Sequence, residues 1–447
     1  MLPGCIGFLN ALLTVLVWRC EWSYPRVPPI YTIAMLSRHA CNLSRSDYLL
    51  MRVDVHFYGS VPFPDPGAGL PLPTDRRASI DDVVAGYENL VVWATLADTL
   101  GFDTMWLTEH HFQYEGYEVT PNLILFGLHL AGLTKRLRFG QMFNIVPQWH
   151  PLRLAEDFAM ADILTGGRMV FGVGRGTVPR ESQTLGAVVA SGDNAMSREA
   201  DRINRELFEE AMDVIRLAWV SERFSYSGKY FAFPPPGIPD RGETVTELTL
   251  IPRPIHQPVE IFQPVGSPAT LRYVASQGFT GVFAMAPFDA IREGWDQFAL
   301  VAQEAGSTIG AGERRCLQLP IHVGRTSAEA RAHGRPGHDE FVKFLSPYGR
   351  FSRFRTGVPF DFRPSLEESV ACGAMAIGSV EEVADQLGRW CEVLSLQHLV
   401  CFPDLPGLTR EQMNEQLHLV AEDVLPRIGV RLDPRSASAG LKTEVTK

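Results

Sequence analysis

Three things are scarce in this 447-residue sequence, and each scarcity removes a class of function. Lys and Arg number 41 against 51 Asp and Glu, the formal net charge is −10, and the basic residues form no cluster. A nucleic-acid partner requires clustered cations to neutralise phosphates, so that class is set aside. The 7 cysteines are scattered without any Cys-x-x-Cys pair, which points to a reduced, metal-free chain and a cytoplasmic location. No apolar run reaches the ~20 residues that cross a bilayer, so no membrane partner is expected. The nearest candidate, from Cys5 to Trp18, has no Lys or Arg before it in Met1 to Gly4 and no small-x-small cleavage site soon after it.

What is present suits a large globular unit. Hydrophobic residues make up 45% and charged residues 21%, enough to bury a full core. Residues 1–50 carry no helix or strand pattern that continues into the rest, whereas Met51 to Tyr58 opens a clean strand. The expectation is a non-core extension over 1–50, one domain over 51–432 and a disordered tail over 433–447.

Strand-like apolar runs begin near residues 53, 104, 137, 168, 259, 280, 316 and 398. Helical patterns separate them. Ser79 is a fitting N-cap with Asp82 three residues on, and Val83, Tyr87, Leu90, Ala94 and Ala97 repeat at helical spacing before Gly101 ends the helix. Pro121 to Thr134 and Pro151 to Leu164 read as helices, and a further helix follows Ser267-Pro268. The stretch from Gly176 to about Ala200 and residues 333–365, rich in Gly, Pro, Arg and Phe, read as inserted loops. Eight strands alternating with helices imply parallel βαβ units and an α/β fold, the (β/α)8 TIM barrel with inserted loops.

Such a barrel gathers its chemistry at the C-terminal ends of its strands. Glu109-His110-His111 follows the second strand, where His acts as acid, base or donor near neutral pH. It lacks a third ligand at zinc spacing, so no metal is expected. Gly172-Val173-Gly174-Arg175-Gly176 follows the fourth strand. It is either a tight turn or a phosphate-binding run with Arg175 as counter-charge, and it fails as a dinucleotide fingerprint because Thr177-Val178-Pro179 follows instead of a helix. Ser267 and Thr270 open a helix directly after a strand, as an ordinary cap or as further phosphate donors. Trp106, Phe112, Met142, Phe143, Trp149, Phe283 and Met285 fall near strand ends, as core or as walls of a pocket.

Together these residues resemble the luciferase-like flavin monooxygenases. The similarity runs through Leu100 to Trp106, Glu109 to Phe112, His150-Pro151, Glu156-Asp157, Asp162, Gly166-Gly167-Arg168, Gly172 to Gly176, Ser267, Thr270 and Gly378 to Val383, and spans about Met51 to Ile428. The resemblance implies a barrel that binds reduced FMN supplied by a separate flavin reductase, with Arg175, Gly174, Gly176, Ser267 and Thr270 around the phosphate and Met142 by the ring. It implies His110, with Glu109, at the reactive edge of the flavin, and a non-prolyl cis peptide near Met142-Phe143. The implied reaction adds O2 to the flavin as a C4a-hydroperoxide and passes one oxygen atom to a small organic substrate. A deazaflavin-dependent reductase or dehydrogenase of the same superfamily is the second reading, and a non-catalytic flavin-binding protein the third. A homodimer through the helices after strands two and three is likewise implied.

Overall fold

The computed structural model describes residues 51–67, 76–190 and 195–433. The expected extension over 1–50, and the expected tail apart from Asp433, lie outside the described residues.

Buried apolar runs form the barrel staves, and caps set the helices between them. β1 (Arg52–Phe57) leads to α1 (Ile80–Leu100), where the Ser79 Oγ accepts from the Asp82 N–H at 3.1 Å and the Asp82 carboxylate accepts from the Ser79 N–H at 2.8 Å. This reciprocal pair satisfies two of the helix's orphan donors, and Gly101 ends the helix at φ 98°. Then come β2 (Thr104–Leu107), α2 (Leu123–Leu133), β3 (Arg138–Gln141), α3 (Pro151–Thr165) and β4 (Met169–Gly174). The second half comprises α4 (Ala195–Val220), β5 (Ile261–Pro264), α5 (Pro268–Ser276), β6 (Thr280–Ala284), α6 (Phe288–Glu304), β7 (Arg315–Gly324), α7 (Ser327–Leu345), α8 (Val380–Leu394), β8 (His398–Phe402) and α9 (Arg410–His418).

Each of β1 to β7 pairs in parallel with the next strand, and β8 pairs with both β7 and β1. The sheet therefore closes, with Arg52 opposite His398 at the seam. This is the (β/α)8 barrel expected from the alternation of strands and helices.

The lower barrel is filled by Trp106, whose indole N–H donates to Asp54 Oδ2 at 2.7 Å. Gly140 on the neighbouring strand is required for that filling, because a Cβ there would overlap the indole ring. Burial alone would push the Asp54 carboxyl up, but Arg52, His398 and the Trp106 N–H outweigh it and hold it down at about 2.

Two expectations need correction. Residues 333–365 do not form one inserted loop: α7 runs through Leu345 with Pro336 inside it. Its glycines serve close packing rather than a turn, since a Cβ on Gly334 would stand 3.1 Å from the His322 ring and one on Gly337 2.8 Å from Leu405 Cβ. Its buried Phe341 and Phe344 join Tyr58, Tyr117 and Phe402 in a cluster above the barrel. The stretch after Gly176 also holds structure, a short helix at Pro179–Thr184 and the start of α4 at Ala195. A short strand, Ala376–Ser379, pairs with the end of β7 and had no signal in the sequence pattern.

Candidate active site

The C-terminal strand ends open into a cavity of about 1060 Å³, slightly above the ~300–1,000 Å³ usual for small-molecule sites. Its wall includes Glu109, His110, Met142, Gly174, Arg175, Gly176, Ser267 and Thr270. Closure of the barrel thus brings two clusters separated by nearly a hundred residues onto one space. Met142, Phe143, Phe283 and Met285 border it as well, whereas Trp106 is core and Phe112 is exposed. The peptide between Met142 and Phe143 is cis.

His110 sits between two carboxylates. Its Nε2 lies 2.6 Å from Glu118 Oε2 and its Nδ1 3.0 Å from Glu181 Oε1. Thr108 Oγ1 donates to the other oxygen of Glu118 at 3.1 Å, and Gln113 Nε2 donates to Glu181. Burial alone would drive the imidazolium down, but Glu118 and Glu181 outweigh it and raise His110 to about 10. Burial raises the Glu118 carboxyl despite His110, whereas at Glu181 the contacts with His110 and Gln113 overcome burial and lower it. The two carboxylates accordingly favour His110 as a cation at neutral pH, its Nδ1 hydrogen-bonded to Glu181 and its Nε2 ion-paired with Glu118. Neither carboxylate was evident beforehand, because Glu118 lies in an aperiodic loop and Glu181 in a stretch read as an insertion.

Glu109 is placed differently from the expectation that pairs it with His110. Its carboxylate accepts from the Trp149 indole N–H at 3.2 Å, the Ile145 N–H at 3.2 Å and His111 Nε2 at 3.1 Å. That ring of bonds braces the loops after β2 and β3.

Arg175 is not a lone counter-charge either. Its Nη1 donates to Asp201 Oδ1 at 2.9 Å and Asn204 Oδ1 at 3.3 Å, both on α4. Among the described residues its Nε and Nη2 carry no such bond. Ser267 caps α5, its Oγ accepting from the Thr270 N–H at 3.2 Å and lying 3.0 Å from Thr270 Oγ1.

A further group sits in the barrel mouth. His56 Nδ1 accepts from Gln318 Nε2 at 2.7 Å, and burial pushes the ring down to about 3, so it is neutral and carries its proton on Nε2. Among the described residues that N–H is buried without a partner, on the cavity wall. Unsatisfied buried donors are costly, and a ligand bearing a carbonyl or other acceptor would satisfy this one. A flavin ring meets the description, so the residues present fit such a cofactor. Among the described residues no group of three His, Cys, Asp or Glu stands ready to hold a metal ion, and no helix is long and apolar enough to cross a membrane.

Residues 68–394 match the family model for luciferase-like monooxygenases. The chain belongs to the luciferase-like monooxygenases. The 3,6-diketocamphane 1,6-monooxygenase of Pseudomonas putida is 27% identical over 365 residues, covering 75% of this chain and 91% of that protein. The F420-dependent glucose-6-phosphate dehydrogenase of Microbacterium testaceum is 25% identical over 376 residues, covering 81% and 99%. A shorter match, 31% identical over 150 residues, covers 34% of this chain and 39% of the uncharacterized protein y4vJ of Sinorhizobium fredii. In structure, the oxygenating constituent of the P. putida 3,6-diketocamphane monooxygenase, solved in complex with FMN, shares the fold with TM-score 0.63 and 21% identity over 84% of this chain and 98% of that one. The protein is thus an enzyme of a luciferase-like family whose members include flavin-dependent monooxygenases and F420-dependent dehydrogenases.

Proposed function

We propose that this luciferase-like enzyme is a monooxygenase that uses reduced FMN, delivered by a separate reductase, to place one atom of O2 in a small organic substrate. The observation that carries this reading is that one cavity is bordered both by Gly174, Arg175, Gly176, Ser267 and Thr270 and by the His110 cluster. When bound, reduced flavin supplies the electrons that make dioxygen reactive toward the substrate. The chain's residues supply binding, charge and dryness. The amides at Gly174 and Gly176, the free Nε and Nη2 of Arg175 and the N-terminus of α5 with its two hydroxyls suit a phosphate. Asp201 orients Arg175 for that task. The His56 Nε2–H offers a donor to a ring carbonyl. His110 acts as a fixed positive charge that stabilises negative charge developing nearby.

The test is to mix purified protein with reduced FMN and, separately, reduced deazaflavin. Tight binding of reduced FMN and an oxygen-dependent absorbance change are expected. Exclusive binding of the deazaflavin would overturn the reading in favour of hydride transfer, the alternative that the Microbacterium relative keeps open. A second copy of the chain is the proposed partner for the exposed apolar side chains of α2 and α3, Leu125, Leu133, Met160, Ile163 and Leu164.

A further inference from the structure

After α7 the chain turns at Ser346–Tyr348, passes Gly349 at φ 72° and runs along the cavity wall. Arg350 and Arg353 stand on this stretch, and both border the cavity. Between them Phe351 is buried, its ring 6.0 Å from that of Phe341 and 5.4 Å from that of Phe354. Gly349 is held where a Cβ would overlap the Phe360 ring. Two turns, Ser352 N–H to Gly349 O at 3.2 Å and Phe354 N–H to Phe351 O at 3.1 Å, set the backbone. A packed loop therefore presents the two guanidiniums.

The arginines around them are compensated: Arg175 by Asp201 at 2.9 Å, Arg180 by Glu115 at 2.9 Å and Arg355 by Glu368 at 3.2 Å. Arg350 and Arg353 have no carboxylate within 4.0 Å among the described residues. Arg350 Nη2 reaches only Thr177 Oγ1, at 3.4 Å. Tyr58 and Glu118 act on the Arg350 charge from a distance, and Glu118 itself faces His110. A guanidinium presented without a carboxylate partner is a preorganised fork for one.

We propose that Arg350 and Arg353 form an anion-binding subsite for the substrate, so that the molecule oxygenated here carries a carboxylate or comparable organic anion. The assignment rests on the flavin reading, in which the cofactor phosphate occupies the grip at Arg175, Ser267 and Thr270 of the same cavity. The apolar side chains of Val178 and Leu345, on the same cavity wall, would receive the body of the substrate. The other anion open to this pair is the flavin phosphate itself, and the two sources are separable.

Calorimetry on the full chain, free and FMN-loaded, would compare benzoate, 2-naphthoate and decanoate with their amides, and FMN with riboflavin. Wild type is expected to bind at least one carboxylate roughly ten- to a hundredfold more tightly than its amide, the worth of a charge-assisted contact. The Arg350→Gln/Arg353→Gln double variant should lose that preference while binding FMN and riboflavin as before, and Arg350→Lys/Arg353→Lys should recover part of it. Unchanged thermal midpoints would show that the variants fold. No carboxylate preference in the wild type, or its retention in the Gln variant, overturns the proposal. Loss of FMN affinity with riboflavin affinity intact overturns it too, by assigning the pair to the flavin phosphate. Failure of the wild type to bind FMN would sink the flavin reading instead, and the comparison in flavin-free protein would still decide whether the pair selects anions.

Discussion

At His110 the chemistry is set by neighbours distant in sequence. Two buried carboxylates facing one imidazole make the protonated ring the stable form, which favours the role of a held charge. The sign is definite: a His raised from 6.5 to about 10 contributes stability that is complete below 6.5 and lost as pH rises toward 10. Following the His110 ring by NMR in the flavin-free protein should show an imidazolium throughout the neutral range. Glu181→Gln should bring the titration down toward the ordinary value. A ring that titrates near 6.5 in the wild type would refute the arrangement. His56, neutral and with one unsatisfied N–H, is the opposite case, since burial without a countercharge favours the uncharged ring.

At the scale of the element, caps with local signals were legible and packing-dependent helices were not. Ser79, Asp82 and Gly101 announced α1 because capping is settled within a few residues. The start of α7 after Ser327 was legible, but its continuation to Leu345 was hidden because Gly334, Pro336 and Gly337 weaken helix propensity, while its compensation comes from remote contacts. Among these, Glu340 accepts from Arg76 at 2.7 Å, Tyr117 OH at 2.7 Å and Gly67 N–H at 2.8 Å, joining the loops after β1 and β2 to the helix. Gly337→Val raises helix-compatible bulk but drives side-chain atoms toward Leu405 and the Pro406 carbonyl. It is expected to destabilise the protein by about 1–3 kcal/mol, as overpacking does, measured by urea denaturation. Stabilisation would show that the glycine is not needed for close approach.

At the scale of the molecule, the outer faces of α2 and α3 remain apolar although the core is complete, with Leu125 and Leu164 exposed at 67% and 62%. Analytical ultracentrifugation of the wild type should give a dimer, and Leu164→Glu should shift it toward monomer without unfolding it, because the side chain is largely exposed in the single chain. A monomeric wild type would remove the proposal.

By itself the sequence determined the alternation of strands and helices, and hence the closed barrel, because periodicity and capping act over a few residues. It also carried the residues around one rim, His110, Arg175, Ser267 and Thr270, since strand ends mark that rim wherever they fall. Only the tertiary structure decided what those residues are chemically. Glu118 and Glu181 fix the charge of His110, Asp201 engages Arg175, and Glu109 turns to Trp149 and His111. The reason is that charge, pKa and hydrogen-bond commitment depend on distances of a few ångströms between chain segments that no local pattern relates.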